Sequence, residues 1–198
     1  AEYGTGTTMT ETRSAATVSR RGLLGAFAAT AICAAPTYPT AAGFLRGGGD
    51  IRRLRMYSGR TGERIDMIYW VDGNYIRDAV EEIALFMRDW RNNKVKQIDL
   101  RTLDIMAATH NMVDTSEPYL LISGYRSPQT NAMLRARSSG VARNSRHMRG
   151  EAADLRLNSR SVAQIARAAQ ACRAGGVGRY TGSNFVHLDC GPVRSWGR

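Results

Sequence analysis

The chain of 198 residues has few of the residue types that build reactive centres, with only three histidines and three cysteines. It contains no G-x-S-x-G sequence, so a serine nucleophile of that type has little support. Its one mild apolar run, residues 23–35, is shorter than the ~20 residues that a membrane-spanning helix needs. These absences direct attention to the histidines, two of which lie beside carboxylates in short segments.

Those two segments predict a metal site. His147 and Asp154 are separated by seven residues, with Gly150 between them, and His187 follows on a later apolar segment. Two histidines and one carboxylate are the ligand pattern of a catalytic Zn²⁺ ion that keeps a fourth position open. The glycine permits a loop to bend back into a strand. On spacing alone, the alternative is three side chains that never meet.

The N-terminal 43 residues are interpreted as a twin-arginine signal segment and linker. Arg20 and Arg21 precede the apolar run, and small residues near Ala31 and Ala42 offer cleavage sites. An uncleaved anchoring helix is the alternative. We therefore expect a single domain at residues 44–198, exported to the periplasm and without a stable membrane span in its mature form.

Hydrophobic periodicity predicts an α+β domain, with helices packed on a largely antiparallel sheet. An amphipathic helix should begin near Ile76 and end at residues 92–93, and a second should follow Asp99. His110 lies on the apolar face of that second helix and is expected to be a core histidine. Other predicted strands cover residues 51–56, 64–69, 119–123, 153–157, 177–180 and 185–189, and other helices cover 128–137 and the segment after Ser161.

Strand alternation places His187 and Asp189 on one face of the last predicted strand. Asp189 could therefore orient His187, accept a hydrogen bond from it, or act as a base. Cys190 points to a different side of that strand, so a cysteine nucleophile paired with His187 is disfavoured. Cys172 and Cys190 could form one disulfide in an oxidising compartment, or they could remain two buried thiols.

The motif S-x-H-x-x-G-x-A-x-D at residues 145–154 resembles the zinc D-Ala-D-Ala peptidase and hedgehog-type metallopeptidase superfamily. The closer resemblance is to its periplasmic murein endopeptidase K family. Further segments similar to that family are L-I-S-G-Y-R-S at 121–127, L-R-A-R-S at 134–138, A-G-G-V-G at 174–178 and F-V-H-L-D-C-G-P-V-R-S-W at 185–196. The similarity covers roughly residues 54–196, and the motifs occur in the family order.

The resemblance implies a zinc-dependent endopeptidase that hydrolyses peptide cross-links of peptidoglycan. It implies metal ligands at His147, Asp154 and His187, and an arginine facing the substrate at Arg126. Ser145 either lines the pocket or caps its loop. A carboxypeptidase that releases D-Ala and a noncatalytic wall-binding module are the alternatives.

One position departs from the superfamily pattern. Many of its carboxypeptidases carry a catalytic glutamate three residues before the final histidine, where this chain has Asn184. The general base is therefore open, with Asp189 as the first candidate and Glu151 as the second.

The net charge of the predicted exported domain, residues 44–198, suits peptidoglycan as its partner. Residues 44–198 hold 25 of the 28 basic and 15 of the 17 acidic side chains, a net charge of +10. The arginines are scattered, and an exported protein rarely meets nucleic acid, so we expect no nucleic-acid partner. Peptidoglycan stem peptides carry free carboxylates and suit this charge, although solubility alone also accounts for it. We expect a monomer.

Overall fold

The computed structural model describes residues 32–34 and 50–197, and the rest of the predicted signal segment lies outside the described residues. Within them, nine strands form one sheet in the order β1-β4-β3-β2-β5-β6-β8-β7-β9. The strands are β1 (Ile32–Ala34), β2 (Ile51–Ser58), β3 (Arg64–Val71), β4 (Asn74–Ile76), β5 (Tyr119–Ser123), β6 (Ala152–Arg156), β7 (Gly176–Tyr180), β8 (Phe185–Asp189) and β9 (Arg194–Gly197).

Most neighbouring strands run antiparallel, and only the β2–β5 and β7–β9 pairs are parallel. Within residues 50–197, four α-helices accompany the sheet: α1 (Arg77–Phe86), α2 (Leu100–Met112), α3 (Pro128–Arg137) and α4 (Val162–Cys172). The expected α+β class with a largely antiparallel sheet is confirmed. No helix in the described ranges has the length and apolar character needed to cross a membrane.

The core lies between one face of the central strands and helices α2 and α4. Ala153 and Leu155 of β6 and Val186 and Leu188 of β8 belong to this buried apolar cluster. Side chains alternate between the two faces of a strand, so Asp154, His187 and Asp189 point to the opposite face. The central strands thus separate the apolar core from the polar residues singled out in the sequence.

Helices α2, α3 and α4 each begin at a side chain that caps the helix. The carboxylate of Asp99 accepts a hydrogen bond from the Arg101 amide, and the hydroxyl of Ser127 accepts one from the Thr130 amide at 3.2 Å. Ser161 and Gln164 form a reciprocal capping box at the start of α4. Each cap satisfies amides at a helix start that have no partner within the helix.

The predicted end of the first helix was wrong. Helix α1 ends at Phe86 rather than at residues 92–93, because the following residues bond to another segment. The carbonyl of Met87 accepts the Tyr125 amide at 2.8 Å, and the carboxylate of Asp89 accepts the Ser127 amide at 2.9 Å. These tertiary contacts divert the chain although Met87 continues the apolar periodicity.

The structure settles two smaller points. Cys172 and Cys190 are both buried and free, so the two-thiol alternative describes this chain. His110 is buried, and its Nε2 lies 2.7 Å from the carbonyl oxygen of Glu117, as expected of a core histidine. Strands β1, β4 and β9 were not predicted, and β9 contributes to the site described next.

Candidate metal centre

Three separate elements bring the predicted ligands together. His147 lies in a short 3₁₀ helix, Arg146–Arg149, whose end is marked by Gly150 at φ = 74°. A left-handed conformation of this kind favours glycine. Asp154 on β6 is the direct partner of His187 on β8 in the antiparallel register. One candidate ligand atom from each of the three side chains falls within 4.8 Å of the other two.

The distances within this cluster suit a small cation. Asp154 Oδ1 lies 2.8 Å from His187 Nδ1 and 3.3 Å from His147 Nε2, and the two nitrogens are 3.2 Å apart. Ligands bound to tetrahedral Zn²⁺ at about 2.0–2.1 Å would lie roughly 3.3 Å from one another. The donor set of two imidazoles and one carboxylate therefore fits zinc in spacing as well as in type.

Hydrogen bonds on the far side of each imidazole fix its orientation. His147 Nδ1 lies 2.8 Å from the carbonyl oxygen of Gly124, an acceptor that requires the proton on Nδ1. His187 Nε2 lies 3.0 Å from Asp189 Oδ2, so the carboxylate favours a proton there. These bonds direct Nε2 of His147 and Nδ1 of His187 toward Asp154, where the two nitrogens could bind a metal. Such outer partners are typical of metal-binding histidines.

Burial and charge act in opposite directions on these groups. Burial lowers the pKa of His147, and its contacts with Asp154 only partly offset that effect. Burial alone would also lower the pKa of His187, but its hydrogen bonds to Asp154 and Asp189 outweigh burial and raise that pKa to about 9. Burial would raise the pKa of Asp154, but the two histidines hold it well below its usual range. The cluster thus attracts positive charge.

Asp189 is fully buried, and both of its carboxylate oxygens take part in hydrogen bonds. Besides His187, it accepts hydrogen bonds from the Gly191 amide at 2.8 Å and from the Arg194 guanidinium at 2.7 and 3.0 Å. Arg146 Nε lies a further 3.4 Å from Oδ1. Burial would raise the pKa of Asp189, but its hydrogen bonds with His187, Arg194 and the Gly191 amide hold that pKa well below its usual range.

Two glycines let β9 reach the centre across β7. Gly176 is paired with Asp189 and Arg194, and Gly178 is paired with His187 and Trp196. A Cβ atom on Gly176 would lie 2.4 Å from Arg194 Nη1, and one on Gly178 would lie 2.7 Å from the Trp196 ring. Because these two positions of β7 carry no side chain, Arg194 contacts Asp189, and the Trp196 ring lies 5.3 Å from that of His187.

Tyr180 is a site residue that the sequence reasoning missed. Its hydroxyl oxygen accepts a hydrogen bond from Trp196 Nε1 at 3.0 Å, and its ring stacks on Phe185 at 4.5 Å. Tyr180 follows Gly178 by two residues on β7, so it shares the face of His187. That spacing was the available signal, but β9 had to be known before Trp196 could be placed.

Arg126 borders the centre on the β5 side. Its Nη2 lies 3.3 Å from Ser123 Oγ and 3.5 Å from Asp154 Oδ2, and its amide donates to the carbonyl of His147. Only 11% of its side chain is exposed. Burial lowers the pKa of this guanidinium, opposed by the nearby Asp154, Asp89 and Tyr180. An arginine side chain nevertheless stays protonated in proteins, so Arg126 places a positive charge beside the candidate ligands.

The remaining candidates lie outside the three-residue cluster. Ser145 is buried immediately before the 3₁₀ helix, and its hydroxyl makes no capping hydrogen bond there. Glu151 pairs with Arg146 at 2.6 Å and with Arg149 at 2.9 Å. Asn184 is exposed in the hairpin turn before β8, at φ = 52°.

The fold and the cluster together define a domain with a two-histidine, one-carboxylate centre of the kind used in metal-assisted hydrolysis. Residues 46–196 match the family model described as peptidoglycan L,D-endopeptidase MepK, and the chain belongs to that family.

Two relatives share most of the domain. The chain is 43% identical over 145 residues to the peptidoglycan L,D-endopeptidase MepK of Escherichia coli (strain K12), covering 73% of this chain and 80% of that protein. It is 36% identical over 137 residues to the probable peptidoglycan L,D-endopeptidase MepK of Haemophilus influenzae, covering 69% and 74% respectively.

Proposed function

We propose that this protein is a zinc-dependent murein endopeptidase that hydrolyses peptide cross-links of peptidoglycan. Because its relatives are named L,D-endopeptidases, we expect it to cleave an L,D peptide bond. The observation that carries the proposal is the convergence of His147, Asp154 and His187 on one face of the sheet in a member of this family. Peptidoglycan lies outside the cytoplasmic membrane, so we expect the domain to act in the periplasm.

The three side chains would hold the metal through His147 Nε2, an Asp154 oxygen and His187 Nδ1. Zn²⁺ bound there would polarise the scissile carbonyl and lower the pKa of a water molecule towards ~7. The Gly124 carbonyl and the Asp189 carboxylate accept hydrogen bonds from the outer imidazole nitrogens and would thereby keep the inner nitrogens of both rings available to a metal.

Of the roles open to Asp189, its surroundings favour orientation of His187. The carboxylate is fully buried and already accepts bonds from Arg194 and Gly191. A base needs a free oxygen within reach of the proton that it removes. Glu151 is bound to two arginines and is likewise disfavoured as the base.

Arg126 and Tyr180 supply hydrogen-bond donors at the edge of the centre. Arg126 is charged, buried and adjacent to Asp154, so its guanidinium can bind a substrate carboxylate or the developing oxyanion. The Tyr180 hydroxyl oxygen accepts from Trp196, which leaves the hydroxyl proton free for donation. We assign both residues to binding and stabilising the substrate rather than to the metal.

Product analysis by mass spectrometry tests this function directly. Purified protein should convert cross-linked muropeptide dimers into monomers, a chelator should stop the reaction, and added Zn²⁺ should restore it. His147→Ala should be inactive. His110→Gln should remain active, because His110 lies in the core, on the face of the sheet opposite the candidate ligands. Release of free D-Ala from monomeric stems would indicate a carboxypeptidase. Binding to sacculi without any product would indicate a wall-binding module.

A further inference from the structure

A turn beside Arg126 carries further arginines and is held tightly against the Arg126 segment. The Tyr125 amide donates to the carbonyl of Met87 at 2.8 Å. Asp89 accepts the Ser127 amide, and Asn92 donates to Ser127 Oγ at 2.8 Å. These bonds bracket Trp90 and Arg91 on one side and Arg126 on the other.

The close approach of the two segments is built into the backbone. A Cβ atom on Gly124 would lie only 2.4 Å from the carbonyl oxygen of Met87. The turn therefore has a defined position beside the metal centre, because Gly124 also holds His147 through its carbonyl. Arg91 and Trp90 are thus connected to the candidate active site through one short, hydrogen-bonded segment.

Two guanidinium groups lie over the ring of Trp90. The Arg91 guanidinium lies 4.2 Å and the Arg60 guanidinium 5.4 Å from the ring centroid. Arg60 belongs to the turn between β2 and β3, so two distant parts of the chain meet here. Stacking on an aromatic ring holds a guanidinium in place while its N–H groups stay available for a planar carboxylate.

The positive charges around this turn outnumber the carboxylates that could neutralise them. In the described part of the chain, Arg60, Arg91 and Arg137 form no ion pair with a carboxylate within 4.0 Å. Asp89 is the nearby acid, and its carboxylate oxygens bind the Ser127 and Arg91 amides. Burial lowers the pKa of Arg91, as does repulsion from Arg126, Arg60 and Arg137, while Asp89 opposes the change. A bound anion would relieve this repulsion.

We propose that Arg60 and Arg91, which lie over the Trp90 ring beside Arg126, form a subsite that binds a free carboxylate of the peptide stem near the scissile bond. Arg137 adds to the positive field. The inference rests on the proposed function, because it takes the ligand class from the peptidoglycan substrate. It adds a determinant of substrate choice: stems with a free carboxylate at this position should be preferred to stems whose carboxylate is amidated.

The test compares two substrates that differ only in whether the stem carboxylate is free or amidated. Cross-linked muropeptide dimers with free stem carboxylates and the same dimers with amidated carboxylates are assayed on the zinc-loaded enzyme. Arg60→Gln and Arg91→Gln should each lower kcat/KM for the free-carboxylate dimer by about tenfold, mainly through KM. Cleavage of the amidated dimer should change by less than about twofold, since the lost interaction is with the carboxylate. The preference of the unaltered enzyme should also weaken as salt is raised.

Arg167→Gln is the matched control, because Arg167 is exposed on α4, which packs on the opposite face of the sheet. It should leave both rates unchanged. Equal losses on both substrates, or an unaltered enzyme without preference between them, would overturn the subsite.

Binding measurements separate this inference from the proposed function. If neither dimer is cleaved, the endopeptidase assignment fails, and calorimetric titration of the protein with free and amidated stem peptides still tests the subsite. Tighter binding of the free form that disappears in Arg91→Gln supports the subsite. Equal affinities of the unaltered protein for the two peptides refute it.

Discussion

Arg194 donates two hydrogen bonds to the buried carboxylate of Asp189, at 2.7 and 3.0 Å, across a strand that carries glycine at the crossing point. Asp189 in turn binds His187 Nε2. A residue on the last described strand is therefore coupled to a candidate metal ligand through one carboxylate.

Replacing Arg194 should weaken the metal centre without removing a ligand. In Arg194→Met, Asp189 loses both guanidinium hydrogen bonds and holds His187 less firmly, so zinc affinity or kcat should fall by about 10–100-fold. Competition with a chromophoric chelator measures the affinity. Arg194→Lys should recover part of the loss and Arg167→Met should show none. Wild-type affinity and turnover in Arg194→Met would contradict this coupling.

Replacing a proposed metal ligand should change metal content and activity differently from replacing Asp189, which orients one of those ligands. His147→Ala, Asp154→Ala and His187→Ala should each lose both bound zinc and activity, because each deletes one of three protein bonds to the ion. Asp189→Asn should retain zinc at saturating metal while turnover falls by about 10–100-fold. Metal analysis beside activity assays distinguishes the two classes. A metal-free Asp189→Asn together with a zinc-binding His187→Ala would invert these two roles.

Tyr180→Phe tests the hydroxyl that Trp196 holds at the edge of the site. Phenylalanine keeps the stack on Phe185 but removes the proton donor, so kcat should fall by about 100-fold with zinc content unchanged. Tyr57→Phe, on β2, is the control and should behave as the unaltered enzyme. If Tyr180→Phe keeps full kcat, the hydroxyl serves packing alone.

The stability contributed by Asp89 should depend on pH. Hydrogen bonds from Thr130, Ser127 and Arg91 lower the pKa of this carboxyl, although burial would raise it. A lowered folded-state pKa gives stabilisation that is present above the unfolded value of about 3.9 and is lost as pH falls.

Asp89→Asn should therefore reduce the free energy of unfolding by about 1–3 kcal/mol at pH 7, and the difference should shrink below about pH 4. Urea unfolding at pH 7, 5 and 3.5 measures it. Asp78→Asn alters an exposed carboxylate and serves as the control. A difference that stays constant down to pH 3.5 would exclude this role of the ionised carboxylate.

Export is predicted from residues outside the described ranges. Replacing Arg20 and Arg21 with lysine should trap the precursor in the cytoplasm, because the twin-arginine pathway reads that pair. Fractionation followed by immunoblotting shows where the protein accumulates. Undiminished export of the double variant would refute the twin-arginine assignment.

Local sequence signals by themselves predicted much of this molecule. Ser127 with Pro128 marked the start of α3, and alternation within β8 placed His187 and Asp189 on one face. The three candidate ligands were also proposed from the sequence, on their two-histidine, one-carboxylate pattern and on the family resemblance, with Gly150 permitting the bend between His147 and Asp154. These features depend on periodicity, capping and turn chemistry, which act over a few residues.

Only the tertiary structure decided the features that depend on distant partners. Helix α1 stops at Phe86 because Met87 and Asp89 bond to residues 125 and 127, which no periodicity within the helix can reveal. Strand β9 pairs in parallel with β7, and that pairing alone places Arg194 against Asp189 and Trp196 against Tyr180. Hydrogen bonds between segments far apart in sequence therefore determined the support of the candidate centre, whereas its three candidate ligands could be proposed from the sequence.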